Sequence, residues 1–71
     1  MRERIYKALI SRYNAEMEDG LLKIDLLMQN SASHSVMVDH TDITGQIDAL
    51  LGKVANAEGK MAKLRRFYST N

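Results

Sequence analysis

The sequence contains no cysteine, no proline and no tryptophan, and only one phenylalanine among its 71 residues. Without cysteine, neither a disulfide framework nor a thiolate metal site can stabilise the chain. Without proline, no position forces a helix to break. A chain this short buries a small fraction of its surface and is marginally stable alone. We therefore expect another protein chain to supply part of the stabilising contact.

Long apolar runs are also missing. No run approaches the roughly 20 residues that a membrane-spanning helix needs, and the N-terminal segment MRERIYKALISRYNAE is too charged for the core of a signal peptide. The hydrophobic fraction of 45% and the charged fraction of 27% are typical of folded domains. The net charge of +1 favours no class of partner. We expect a folded, soluble, cytoplasmic protein with no membrane contact.

Residues able to do chemistry are few. His34 and His40 lie near Asp39 and Asp42, but two histidines without a recognised ligand spacing give little basis for a metal site. Serines flank His34, yet neighbours in sequence do not form a nucleophile, base and orienting group. There is no glycine-rich phosphate loop. The sequence therefore predicts no catalytic residue, no cofactor and no metal, and we expect the protein not to be an enzyme.

Apolar residues recur at alternating steps of four and three in two long segments, which is the seam pattern of helices packed side by side. The first seam contains Tyr6, Ile10, Tyr13, Met17, Gly20, Ile24 and Leu27. The second contains Ile43, Ile47, Leu50, Val54, Ala57, Met61, Leu64 and Tyr68. The pattern predicts one all-α domain over residues 1–71, an antiparallel, coiled-coil-like hairpin of two helices, about 3–29 and about 41–67. The loop spans 30–40.

Two details of this hairpin remain open. Asp39, Thr41 or Asp42 can cap the second helix, because each has a side-chain oxygen that accepts a bond from a first-turn amide. Gly20 falls on the seam roughly opposite Leu50. Its missing side chain either admits a bulky neighbour or only weakens the helix.

The first helix carries more apolar side chains than two helices can bury. Those beside or outside the seam are Leu9, Leu21, Leu22, Leu26 and Met28. Such a surplus is typical of a hairpin that completes a helical bundle by oligomerisation, or that docks onto a larger protein. A homo-oligomer or another protein partner is therefore the main functional expectation.

The second helix carries Gly45, Gly52 and Gly59 at every seventh position, on the side pointing away from the first helix. Each glycine in an exposed helix costs about 1 kcal/mol relative to alanine. With Ala49 and other small residues nearby, the glycines form a strip that either accepts a second helix in close contact or is simply solvated. We include this strip among the candidate partner surfaces.

Folding the hairpin brings the two ends of the chain together and makes one end of the rod basic. The cations there are Arg2, Arg4, Lys7, Arg12, Lys60, Lys63, Arg65 and Arg66, and all four aromatic residues lie at the same end. The other end is acidic. Interleaved cations and aromatic rings can bind nucleic acid; the alternatives are an acidic protein surface or a solvated end. We expect Tyr6, Tyr13 and Tyr68 to be committed to the seams.

The segments RERIYKALISRY and DITGQIDALLGKVANAEGKMAKLRR, with DHTD before the second helix, resemble small helical proteins of marine T4-like tailed phages. The resemblance implies a virus-encoded structural or regulatory protein, in the host cytoplasm or in a virion, and no catalytic residues. Taken together, the sequence predicts a protein-interaction or structural module acting through helix packing. The alternatives are a small nucleic-acid-binding regulator that uses the basic end and, third, an inhibitor of a host enzyme.

Overall fold

The structure is a computed structural model that describes residues 1–33 and 40–69, and the side chains of residues 1–29 and 42–69. Helix α1 spans Arg2–Ser33 and helix α2 spans His40–Tyr68, and no strand occurs in these ranges. The two helices pack against each other in a rod of 53 × 14 × 14 Å. The predicted all-α helical hairpin is confirmed.

The helices are antiparallel, because residue numbers fall along α2 as they rise along α1. The Lys60 ammonium lies 5.2 Å from the centre of the Tyr13 ring, near the open end where the hairpin's termini meet. Closer to the other end, Gly20 lies against Val54. This alignment fixes which outer surfaces of the two helices lie at the same height along the rod.

Helix α1 is longer than the sequence predicted. It continues through Ser33 rather than ending at about residue 29, and α2 begins at His40. Residues 30, 31 and 33 are asparagine or serine, which are weak helix formers, but extending an existing helix adds one hydrogen bond per residue and needs no new nucleus. The rest of the predicted loop, residues 34–39, lies outside the described residues.

The start of α2 narrows the choice of cap. Thr41 and Asp42 fall inside the first turn, so neither holds the position before the helix. The Asp42 carboxylate instead accepts a hydrogen bond of 2.6 Å from the Gln46 side-chain amide, one turn later. The third candidate, Asp39, lies outside the described residues.

The predicted seams form the interface between the helices. All of their residues are buried or half-buried except Tyr68, which is 55% exposed. Its assignment to the core was therefore wrong, because Tyr68 is the last residue of α2 and lies at the open end beside the first turn of α1. Among the described side chains, the buried hydrophobic residues are only Ile24, Ala57 and Met61. The core of the hairpin is thin.

Gly20 is the point of closest fit between the helices. A β-carbon added there would lie 2.7 Å from Val54 Cγ2 and 3.7 Å from the Leu50 carbonyl oxygen. The first distance is too short for a real contact, and valine has little rotamer freedom with which to move away. Gly20 therefore does admit a bulky neighbour, but that neighbour is Val54 rather than the Leu50 side chain.

Candidate partner-binding surfaces

The hairpin leaves an unusually large surface exposed. Its accessible area is 5608 Å² for a mass of 8.0 kDa. A compact monomer of that mass exposes roughly 4,500 Å² by the usual scaling of area with mass. The excess is on the order of 1,100 Å², which is comparable to the roughly 800 Å² that one partner contributes to a standard protein interface.

Large hydrophobic side chains account for part of this surface, and they fall into two groups along the rod. Those exposed among the described residues are Met1, Ile5, Leu21, Leu22, Leu26, Met28, Leu51, Phe67 and Tyr68. No residue of this group lies between Ile5 and Leu21 of α1, or between Leu51 and Phe67 of α2. The first group, Met1, Ile5, Phe67 and Tyr68, is called the open-end patch. The second group, Leu21, Leu22, Leu26, Met28 and Leu51, is called the patch nearer the loop.

The open-end patch surrounds a groove of about 450 Å³ between the first turns of α1 and the last turns of α2. The groove is lined by Met1, Arg2, Ile5, Tyr6, Leu9, Leu64 and Tyr68. Of the predicted partner residues, Leu9 lies here, and it is half-buried rather than fully exposed. Arg2 is the only charged side chain in the lining, so the groove is an apolar surface with a cation at its edge.

The patch nearer the loop contains the other predicted leucines. Leu22 is 58% exposed and Leu26 is 49% exposed, and Leu21 lies beside them. These side chains belong to α1, on the part of the helix that pairs with the first half of α2. The prediction that the hairpin cannot cover them is confirmed.

The predicted glycine strip faces solvent. A β-carbon added at Gly45, Gly52 or Gly59 would meet no atom within 4 Å. Ala49 is also exposed and borders a shallow groove of about 400 Å³, together with Lys23, Leu27, Gln46 and Leu50. The outward orientation of the strip agrees with the prediction. Nothing in the described part of the hairpin occupies the space that the glycines leave.

Four of the eight cations of the predicted basic end contact other side chains of the same chain. Lys7 pairs with Glu3 at 3.1 Å, and Arg12 pairs with Glu16 at 3.3 Å. Lys60 lies over the Tyr13 ring. The Arg66 guanidinium lies 5.0 Å from the centre of the Phe67 ring. The two ion pairs and the Arg66–Phe67 contact are at exposed sites, and Lys60 is exposed beside the half-buried Tyr13 ring, so each contact contributes about 1 kcal/mol or less.

The other four cations of the basic end are Arg2, Arg4, Lys63 and Arg65. None of them makes an ion pair with a residue that the structure describes. Phe67 and Tyr68, at the same end of the hairpin, are both more than half exposed. Tyr68 is thus more accessible than the sequence predicted, whereas Tyr6 and Tyr13 are half-buried as expected.

Sequence reasoning missed Met1, Ile5 and Leu51 as exposed apolar residues. They lie off the seam that faces the neighbouring helix, and none of them belongs to the group of leucines farther along α1. The signal that could have found Met1 and Ile5 is their spacing from Leu22 and Leu26 on the outer side of the same helix.

Within residues 1–29 and 42–69, no group of histidine and acidic side chains could hold a metal ion. Of the cluster considered from the sequence, His34, Asp39 and His40 lie outside the described side chains, and the Asp42 carboxylate accepts the hydrogen bond from Gln46. Neither helix, over the part of the chain that is described, has an apolar stretch long enough to cross a membrane.

Comparison of the chain with protein-family models, with curated proteins and with solved structures found no match.

Proposed function

We propose that this hairpin is a non-enzymatic interaction module that binds by helix packing, first to further copies of itself and then to a protein partner. The observation that carries the proposal is the imbalance between core and surface. Only three described hydrophobic side chains are buried, whereas nine large ones are exposed. Because burial of apolar area is the main favourable term in folding and association, a second protein surface would stabilise this chain.

The size of the exposed surface supports the same proposal. The excess area over a compact monomer is close to what one standard interface covers on one partner. Completion of a helical bundle is the common way in which paired helices cover such a surface. The resemblance to small helical phage proteins favours a structural or regulatory role in a virion or an infected cell.

The test is the mass of the purified chain in solution. Sedimentation equilibrium over a hundredfold range of concentration should give a mass at least twice the 8.0 kDa of one chain. Circular dichroism in the same samples should show helicity that rises with concentration, since association and folding are linked by mass action. A fully helical species of 8.0 kDa at every concentration would contradict self-association.

A second candidate function is nucleic-acid binding at the basic end. The observation that favours it is the exposure of Phe67 and Tyr68 beside Arg65, because accessible rings can stack on unpaired bases while cations bind phosphates. Binding of a labelled single-stranded oligonucleotide should then weaken steeply as salt rises. The Phe67→Ala and Tyr68→Ala variants should each weaken it further. If the oligonucleotide does not bind even at low salt, this second function is wrong.

A further inference from the structure

The outer side of α1 carries a second seam, distinct from the one that faces α2. Its residues alternate in steps of four and three, as packed helices require. We call it the outer stripe: Met1, Ile5, Ala8, Arg12, Ala15, Asp19, Leu22, Leu26 and Gln29. Every one of these side chains is exposed in the hairpin. The stripe is therefore a helix-packing surface that the hairpin itself leaves uncovered.

The order of residues along the outer stripe is close to symmetric. Large apolar residues stand near both of its ends, Met1 and Ile5 on one side and Leu22 and Leu26 on the other. Small alanines stand between, together with one cation and one anion. An antiparallel second copy of the stripe can place Ile5 level with Leu22, and Met1 level with Leu26, at both ends of the contact. Large apolar side chains then cover each other at each end of the contact.

The two charges of the stripe select this orientation. In a parallel pair, Arg12 would face Arg12 and Asp19 would face Asp19, and like charges at such positions are unfavourable. In the antiparallel pair, Ala15 of the second copy is level with Arg12. Asp19 of the second copy is level with Ala8, about one helical turn from Arg12, which is within reach of the long arginine side chain.

The ion pairs within each chain are compatible with this contact. Arg12 pairs with Glu16, and Asp19 pairs with Lys23 at 2.9 Å, all at exposed sites. Bringing Arg12 of one copy beside Asp19 of the other joins these pairs into a row of four charges of alternating sign. Among these four charges each neighbour has the opposite sign, so their meeting adds attraction without breaking the pairs already present.

We infer that the outer stripe of α1 binds the same stripe of a second copy, antiparallel and with two-fold symmetry, so that the open ends of the two hairpins lie at opposite ends of the assembly. The inference rests on the proposed function and specifies its first partner. The contact is isologous, meaning that each copy uses the same patch. Leu26 of each copy then comes beside Met1, at the edge of the other copy's open-end groove.

A charge-swap experiment tests the pairing. Arg12→Glu and Asp19→Lys should each raise the dissociation constant of the homodimer about tenfold, because each change turns two attractions into two repulsions. Mixing the two variants should restore association, since the glutamate introduced in one chain then meets the lysine introduced in the other, while the native pair meets on the other side. The matched control is the mixture of Lys63→Glu and Asp48→Lys, two exposed positions of α2 outside the stripe, where no rescue is expected.

Cysteine cross-linking tests the orientation, and the chain offers a background free of cysteine. Ile5→Cys chains mixed with Leu22→Cys chains should form disulfide-linked dimers on mild oxidation. Neither variant alone should cross-link efficiently. Cross-linking of Leu22→Cys with itself would show a parallel pair and overturn the inference.

The failures can be told apart by the mass of the unmodified chain. If that chain is an oligomer but neither charge change weakens it, self-association stands and the outer stripe is wrong. If the unmodified chain is a monomer at every concentration, the inference and the self-association of the proposed function fail together. Rescue on mixing also shows that both charge variants fold.

Discussion

Helices α1 and α2 contribute similar seams to one interface but have opposite outer sides. In α1 the single glycine, Gly20, is buried against the neighbouring helix, and leucines stand outside. In α2 the three glycines stand outside, where an added β-carbon would meet nothing. The seam therefore explains why the chain forms a hairpin, whereas the outer sides suggest which helix meets a partner.

Glycine therefore has opposite consequences for packing in α1 and in α2. Glycine lowers helix propensity wherever it stands. At Gly20 this cost is offset by the close approach of Val54, and in α2 nothing within the described part of the hairpin offsets it. Either α2 tolerates the loss or a partner approaches there, and substitutions can separate these alternatives.

The largest effect is expected from the same substitution at a packed and an open glycine. Gly20→Leu should lower the free energy of unfolding by about 3 kcal/mol, because its side chain overlaps Val54. Gly52→Leu should raise it by about 1 kcal/mol through helix propensity. Urea denaturation at one fixed chain concentration measures both. If both substitutions raised the free energy of unfolding by the same amount, the contact at Gly20 would not be tight.

The next effect concerns association. Leu22→Gln on the outer side of α1 should raise the dissociation constant of self-association about a hundredfold, since two leucines leave the contact at roughly 1.4 kcal/mol each. Leu51→Gln in α2 is the matched control, because Leu51 is 50% exposed and Leu22 is 58% exposed. It should change the constant by less than about threefold, because it lies outside the proposed contact. A larger effect at Leu51 would move the partner surface to α2.

The paired substitution Gly52→Ala with Gly59→Ala should stabilise the hairpin by about 2 kcal/mol, from helix propensity alone. Self-association should be unchanged if only α1 meets the second copy. The dissociation constant and the denaturation midpoint are measured on the same sample. Weaker association despite a more stable helix would show that another backbone approaches the glycine strip closely.

The smallest effect is expected at the ring contact between the helices. Lys60→Gln removes the cation that lies over Tyr13 and should cost about 0.5 kcal/mol of unfolding free energy. Lys63→Gln, less than one turn farther along α2, is the control and should cost less. If the Tyr13→Leu background shows the same loss for Lys60→Gln, the cation and the ring do not interact.

The sequence was sufficient for the helices and their seam, because apolar periodicity reports directly on the side that a helix buries. It was also sufficient for the surplus at Leu22 and Leu26, since two helices cannot surround so many apolar side chains. The exposure of Tyr68 could not be predicted in the same way. Periodicity continues to the last residue of a helix, whereas burial also requires residues that cover the side chain from beyond the helix end, and Tyr68 is the last residue of α2.

The seam has one more consequence, which concerns slippage of one helix along the other. Its residues are apolar or glycine, without the buried asparagine or lysine that often fixes alignment in coiled coils. A slip of one heptad would bring Val54 against Tyr13 or Leu27. The space at Gly20, which Val54 now fills, would then lose the Val54 side chain. The fit of Val54 against Gly20 therefore sets the alignment of the two helices, and one added methyl group at Gly20 would clash with Val54.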